Sequence, residues 1–155
     1  MSQQQHAYHV EAHVVGAGKS TSTIKETEIV FDTSDGQSDV LPGPADLLTL
    51  AFAACVLKNV ERFARMLPFR YEGASIDVTS ERQASPPRMT RVSYTLHLQT
   101  DEPAQRVDLL HRNIQKFGTI YNTLAAICDV DGEIIVESPQ KVQTWEADDA
   151  TSARA

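Results

Sequence analysis

The sequence predicts a single α+β domain in which an antiparallel sheet packs against one long and very apolar helix. Two observations lead to this class. Segments in which polar and apolar residues alternate are typical of strands, and they flank segments with helical spacing, in the order β-β-α-β-β-α-α-β. The length of 155 residues suits one domain, which we assign to residues 1–139, with a polar tail over residues 140–155.

The first part of the chain predicts a β-hairpin. Residues His6–Val15 alternate in character, Gly16–Ser20 are typical of a turn, and Ile24–Asp32 contain a run of strand-forming residues. The punctuation at Leu41–Pro44 then separates this hairpin from the rest of the chain.

A long helix is predicted from Ala45 to Leu67, because Pro44 suits the first helical position and no Gly or Pro interrupts the segment before Pro68. Its first half is apolar on every face, which predicts burial deep in a core or an interface, whereas its second half is amphipathic. One domain of this size has difficulty covering such a helix on all sides. We therefore expect a homodimer that buries it between two sheets.

The C-terminal half predicts three strands and two helices. The strands Ala74–Arg82 and Arg91–Gln99 form an antiparallel pair, joined by a turn at Ser85–Pro87. The remaining elements are a helix over Ala104–Phe117 that ends at Gly118, a short helix over Thr119–Ile127, a turn at Asp131–Gly132 and a strand over Glu133–Val136.

The formal net charge of -7 argues against binding to nucleic acids or anionic membranes, because the long-range field repels phosphates. No apolar segment is long enough to span a bilayer, and the N-terminus lacks the basic start and apolar core of a signal peptide. With only two cysteines, we expect a cytoplasmic protein with reduced thiols. We expect no metal or cofactor, since neither the cysteines nor the histidines His6, His9 and His13 follow a metal-ligand spacing.

Cys55 lies within the apolar half of the long helix, where two interpretations stay open. It is either a small buried hydrophobe or a nucleophilic thiolate, which would need nearby cations or hydrogen-bond donors. Lys58 and Asn59 follow by three and four residues and share its helix face, which makes Lys58 a candidate partner. Cys128 is interpreted as a core residue at the end of the short helix.

Two short motifs resemble those of the OsmC/Ohr family of thiol-dependent hydroperoxide reductases. The first is Pro44-Ala45-Asp46-Leu47-Leu48 followed by Ala53-Ala54-Cys55, and the second is Asn122-Thr123-Leu124 with Asp131-Gly132 and a closing strand. The resemblance covers Tyr8 to Val136 and implies an OsmC-like fold and an intertwined homodimer with two sites at the subunit interface. It also implies that the Cys55 thiolate attacks the O–O bond of an organic hydroperoxide and becomes a sulfenic acid.

In the resembling family a second cysteine condenses with the first, and an external dithiol reduces the disulfide. Gly118 occupies the position of that second cysteine in this sequence. Cys128 lies ten residues later, about 15 Å along a helix, which is too distant for it to take over the role. Tyr121 would place a hydroxyl near the missing cysteine, where it could bond a ligand or an oxidised sulfur.

The family's supporting charges, a glutamate and an arginine, also differ here. Ala45 stands at the glutamate position, with Asp46 adjacent. No arginine matches, and Lys19 or Lys25 is the nearest basic residue, although lysine does not supply the two-pronged contact of arginine.

Two functions therefore stay open. The first is a one-cysteine thiol peroxidase in oxidative-stress defence, with Cys55 as the reacting thiolate and an external thiol as reductant. The second is a non-catalytic OsmC-like dimer that binds a small hydrophobic ligand in the interface cleft. A reactive thiolate at Cys55 favours the first function, and an inert buried thiol favours the second.

Overall fold

The computed structural model describes residues 4–139, in which six strands and three helices follow one another. In chain order they are β1 (Glu11–Gly16), β2 (Lys19–Ile24), β3 (Thr27–Asp32), α1 (Pro44–Met66), β4 (Gly73–Ala84), β5 (Pro87–Gln99), α2 (Ala104–Phe117), α3 (Thr119–Ala125) and β6 (Asp129–Glu137). The predicted α+β class is confirmed. The tail predicted over residues 140–155 lies outside the described residues, and the assignment of residues 1–139 to one domain stays a prediction.

The first sheet is antiparallel with the order β1-β2-β3, so the predicted two-stranded hairpin is wrong by one strand. The alternation of apolar residues does not reveal β2, because this strand consists mainly of serine and threonine. Ser20 and Ser22 are nevertheless buried. Their hydroxyls bond the Thr33 hydroxyl at 2.6 Å and the Glu11 carbonyl at 2.7 Å. Residues 6–10, also predicted as strand, precede β1.

The second sheet has the order β4-β5-β6, and β6 runs parallel to β5. The predicted antiparallel pairing holds for β4 and β5, whereas the parallel neighbour requires a crossover, which α2 and α3 supply. The turn predicted at Asp131–Gly132 is wrong, because both residues lie inside β6. Gly132 pairs with Tyr94, and a Cβ on this glycine would overlap the Tyr94 ring.

Helix α1 begins at Pro44, close to its predicted start, and packs against β4, α2 and α3. The Asp46 carboxylate accepts a hydrogen bond from the backbone N–H of Gly43 at 2.8 Å, which caps the first turn. The core around α1 contains buried apolar residues of all three helices and of β5: Phe52, Val56, Val60, Phe63, Val92, Tyr94, Leu96, Leu98, Val107, Leu110, Ile114, Tyr121 and Leu124.

Burial along α1 within one chain is the reverse of the sequence prediction. Most of its buried side chains lie between Val56 and Ala64, in the second half, while Leu50 in the first half is 61% exposed. The reason is that the helices and sheet of the same chain cover the second half more completely. The expectation that the first half lies in an interface stays a prediction.

Helix α2 has the predicted bounds, and Gly118 separates it from α3. The Gly118 N–H donates to the Ile114 carbonyl at 3.0 Å, and its carbonyl accepts from the Asn122 N–H at 2.9 Å, so both helices meet at this residue. Helix α3 ends at Ala125, two residues before the predicted end. Within residues 4–139 the structure contains no helix that is long and apolar enough to cross a membrane.

Candidate functional site

Cys55 lies in the middle of α1 on a face that is half-buried, so its thiol is neither sealed in the core nor freely exposed. Asn59 follows one helical turn later and is buried. Its Nδ2 donates to the backbone carbonyl of Cys55 at 2.8 Å and lies 3.6 Å from Sγ of Cys55. One amide nitrogen therefore contacts both the main chain and the thiol of the same residue.

Gly118, the position that the sequence assigned to the missing second cysteine, faces Cys55. A Cβ built on Gly118 would lie 3.4 Å from Sγ of Cys55. The same Cβ would lie 2.9 Å from the Ile114 carbonyl oxygen and 2.9 Å from Cβ of Tyr121, which is closer than side chains normally approach. Glycine thus lets α2, α3 and α1 converge beside the thiol.

Tyr121 lies one turn of α3 beyond Gly118, and the predicted bond of its hydroxyl to a ligand or an oxidised sulfur stays a prediction. Its side chain is buried, and its ring centroid lies 5.5 Å from that of Phe52 and 6.2 Å from that of Tyr94. Tilted aromatic contacts at these distances are favourable. Tyr121 therefore anchors the first turn of α3 against α1.

A polar contact between Tyr94 of β5 and His111 of α2 lies next to Tyr121. The Tyr94 hydroxyl lies 2.6 Å from Nε2 of His111, and Nε2 of Gln115 donates to that hydroxyl at 3.4 Å. Burial raises the pKa of the Tyr94 phenol and lowers the pKa of the His111 imidazole, so both groups favour their neutral forms. The contact is then a hydrogen bond between a neutral phenol and a neutral imidazole.

The structure does not bring the other predicted partners to Cys55 within one chain. Lys58 is exposed, and the hydrogen bonds and ion pairs of residues 4–139 include none from it, so Asn59 takes the place expected for Lys58. Asp46 caps α1 nine residues before Cys55, which is about 14 Å along the helix. Lys19 lies in β2 opposite Asp32, and Lys25 lies in the turn after β2.

Cys128 follows α3 and is half-buried against the core, in agreement with its interpretation as a core residue. Its Sγ donates to the Leu124 carbonyl at 3.2 Å. Burial, with a smaller contribution from the Asp129 carboxylate, raises the pKa of the Cys128 thiol. Both cysteines are free, and residues 4–139 contain no group of three His, Cys, Asp or Glu residues that could hold a metal ion.

The sequence pattern puts Asn59 on the helix face of Cys55 but indicates no role for it, and no pattern connects Tyr94 with His111. Four-residue spacing on a helix was the available signal for Asn59. The Tyr94–His111 contact depends on how α2 crosses β5, for which the sequence carries no local signal.

The chain combines an α+β fold with a cysteine on its central helix, and the thiol of that cysteine faces the junction of α2 and α3. The family model described as OsmC-like protein matches residues 35–133, and the chain belongs to that family. No curated protein sequence matches the chain significantly.

Solved structures that share the fold come from several bacteria. An OsmC-like protein of Mycoplasma pneumoniae is 15% identical with a TM-score of 0.78, and the match covers 86% of this chain and 99% of that one. The organic hydroperoxide resistance protein OhrB of Bacillus subtilis is 16% identical with a TM-score of 0.61, covering 83% and 98%. An organic hydroperoxide resistance protein OsmC of Legionella pneumophila is 15% identical with a TM-score of 0.64, covering 85% and 98%. These similarities establish the fold.

Proposed function

We propose that the protein is a thiol-dependent organic hydroperoxide reductase in which Cys55 is the reacting cysteine. The observation that carries the proposal is the placement of the Cys55 thiol: it is half-buried on α1, faces Gly118, and has an N–H donor in Asn59. Membership of the OsmC-like family supports the proposal, as do the names of the hydroperoxide resistance proteins that share the fold.

The proposed reaction begins with the Cys55 thiolate and a hydroperoxide ROOH. Sulfur attacks the terminal oxygen of ROOH, the one that carries the hydrogen, and the O–O bond breaks. The alkoxide RO⁻ leaves and takes a proton, which gives a sulfenic acid on Cys55 and the alcohol ROH. An external thiol R′SH then displaces water from the sulfenic acid and forms a mixed disulfide. A second R′SH attacks this disulfide, restores the Cys55 thiol and leaves as R′SSR′.

The cycle uses an external thiol because neither Gly118 nor Cys128 places a second sulfur of the same chain beside Cys55. Gly118 faces Cys55 but has no side chain, and Cys128 lies beyond the far end of α3 with its thiol on the Leu124 carbonyl. We propose a small-molecule thiol or a dithiol carrier as the reductant, and the cytoplasm as the compartment, since reducing thiols are maintained there.

We also propose that the protein works as a homodimer. Leu50 and Ala54 on the first half of α1 are exposed in the single chain, as are Val14 and Val15 in the first sheet. A second copy that covered these side chains would remove apolar surface from water and would enclose the thiol.

A second function, binding of a small hydrophobic ligand without catalysis, is favoured by one specific observation. Among the hydrogen bonds of residues 4–139, Sγ of Cys55 has a neutral amide and no charged group as its partner. A neutral donor supports a thiolate less strongly than a cation does. The same apolar surface that a dimer would enclose would then serve as the ligand site.

The experiment that separates the two functions compares Cys55→Ser with Cys128→Ser. We expect that Cys55→Ser loses consumption of an organic hydroperoxide such as tert-butyl hydroperoxide in the presence of excess dithiothreitol, and that Cys128→Ser retains most of it. Equal consumption by wild type and Cys55→Ser would contradict the reductase and leave the binding function.

A further inference from the structure

Asn59 is a polar side chain in a place where the helix would otherwise bury an apolar one. It is 7% exposed, between the buried residues Val56 and Val60. Burial of an amide costs free energy unless its polar groups find partners. Its Nδ2 finds two on the preceding turn, the carbonyl oxygen and the sulfur of Cys55.

The two contacts have different consequences for the amide. The 2.8 Å bond to the Cys55 carbonyl is a full hydrogen bond to the main chain of a rigid helix, and it fixes the amide. The second N–H of the same nitrogen is left for Sγ, at 3.6 Å. The donor is therefore held in place before the sulfur reacts.

The donor that contacts the sulfur is also placed to bond an oxygen atom added to that sulfur. When Cys55 becomes a sulfenic acid, the new oxygen lies one covalent bond beyond Sγ and can approach Nδ2 to the usual N–H···O range of about 2.7–3.2 Å. A hydrogen bond to that oxygen draws negative charge away from the sulfur. The sulfur is the atom that would attack a second hydroperoxide.

We propose that Asn59 holds the sulfenic acid of Cys55 and slows its further oxidation, an inference that rests on the proposed function. In that further step a second ROOH adds an oxygen atom to the sulfenic acid, which becomes a sulfinic acid while ROH leaves, and the product is not reduced by ordinary thiols. Protection is needed here because Gly118 supplies no sulfur to trap the sulfenic acid. The intermediate must therefore persist until an external thiol reaches it.

The test compares the products of Cys55 oxidation in wild type, Asn59→Ala and Asn59→Asp. Asn59→Asp has the same shape but lacks the N–H donor. Asn113→Ala is the matched control, because Asn113 makes the same 2.8 Å bond to the carbonyl four residues earlier, on α2, with no cysteine there. Circular dichroism checks that each variant is folded. If Asn59→Ala does not fold, the comparison of wild type with Asn59→Asp tests the proposal.

Each protein is treated with increasing cumene hydroperoxide in a Cys128→Ser background. Intact mass gives the sulfinic acid, and capture by dimedone gives the sulfenic acid. We expect the ratio of sulfinic to sulfenic acid to rise several-fold in both Asn59 variants and to stay at the wild-type value in Asn113→Ala. A looser site would admit ROOH more easily, so a rise in Asn59→Ala alone would report lost packing and contradict the role of the donor. Asn59→Asp keeps the side-chain volume, and a rise in that variant reports the lost N–H.

Two further results would overturn the inference, and they are distinguishable. If wild type gains no oxygen at Cys55, the proposed function fails and the role of Asn59 fails with it. If wild type gains oxygen at Cys55 but the Asn59 variants show the wild-type ratio, the role of Asn59 fails alone and the reductase stands.

Discussion

The two cysteines lie near opposite ends of the short helix α3, and the protein holds their sulfurs in opposite ways. Cys55 faces Gly118 at the start of α3, and its sulfur is contacted by an N–H donor from Asn59. Cys128 follows the end of α3, and its sulfur donates to the Leu124 carbonyl. Both residues are half-buried, so burial alone does not separate them.

The direction of the hydrogen bond is what separates the two thiols. A sulfur that accepts an N–H keeps its partner when it ionises, whereas a sulfur that donates S–H loses its bond and then faces a carbonyl oxygen. The pKa of the Cys128 thiol agrees with this argument: burial and the Asp129 charge both raise it, and both therefore disfavour the thiolate. This difference supports the proposal that Cys55 is the reacting cysteine and that Cys128 serves packing.

The largest expected effect comes from restoring a sulfur at the Cys55 end of α3. In Gly118→Cys, the new Cβ would lie 3.4 Å from Sγ of Cys55, so a disulfide is in reach once the helices shift to relieve its 2.9 Å contacts with the Ile114 carbonyl oxygen and with Cβ of Tyr121. We expect hydroperoxide to convert this variant fully to an intramolecular disulfide between position 118 and Cys55, detected by peptide mapping under non-reducing conditions. Gly118→Ser, of similar size, serves as the control that stops at the sulfenic acid. A disulfide that instead joined position 118 to Cys128 would contradict the geometry.

The second prediction concerns a smaller effect, the change with pH in the alkylation of the Cys128 thiol. A raised pKa means that the neutral thiol persists to higher pH, so we expect little alkylation of Cys128 by iodoacetamide at pH 7 and a rise only at alkaline pH. Asp129→Asn removes the lesser cause, and the labelling curve should move modestly toward lower pH. Both are measured in a Cys55→Ser background. Rapid labelling of Cys128 at neutral pH would contradict the claim that its thiol is held in the neutral form.

The crowding around Gly118 predicts a moderate loss of stability. Gly118→Ala adds a Cβ 2.9 Å from the Ile114 carbonyl oxygen and from Cβ of Tyr121, and overpacking of this kind costs about 1–3 kcal/mol. Denaturant unfolding measures the change. Gly36→Ala is the control, because a Cβ at Gly36 meets nothing within 4 Å and should leave the free energy of unfolding nearly unchanged.

The smallest effect is expected from the support beneath Tyr121. Tyr94→Phe removes the hydroxyl that bonds His111 and Gln115. These half-buried side chains keep their 3.3 Å contact with each other, so the expected loss is that of an ordinary hydrogen bond, about 0.5–1.5 kcal/mol. Tyr71→Phe is the control, because its hydroxyl bonds Glu61 in an exposed position. Chemical denaturation of both variants checks the difference, and equal losses would show that the Tyr94 contact contributes no more than a surface bond.

The sequence predicts most of the fold where residues with a special backbone role mark the boundaries. Pro44 begins α1, where its missing N–H has no helical partner to lose, and Gly118 ends α2 as predicted, with a φ of -71° that any residue adopts. It misses β2, whose buried residues are serines, and it misplaces the start of β6, where Asp131 and Gly132 imitate a turn. Gly132 in β6 makes room for the Tyr94 ring of the neighbouring strand. The residues around Gly132 in the sequence do not indicate this contact.

The candidate site, too, could be predicted from the sequence only where local spacing determines which residues meet. Gly118 faces Cys55, as its place at the position of the family's second cysteine suggested, whereas the role of the Tyr121 hydroxyl stays a prediction. The supporting residue is different from the one expected. Lys58 and Asn59 are equivalent in helical spacing, and the packing of α2 and α3 against α1 decides that Asn59 turns inward.

The most direct measurement of the central claim is the intact mass and peptide map of the wild-type protein after one equivalent of an organic hydroperoxide. The account predicts one oxygen atom on Cys55, an unmodified Cys128 and no disulfide within the chain. Oxygen on Cys128, a bond between the two cysteines, or an unreacted Cys55 would contradict it.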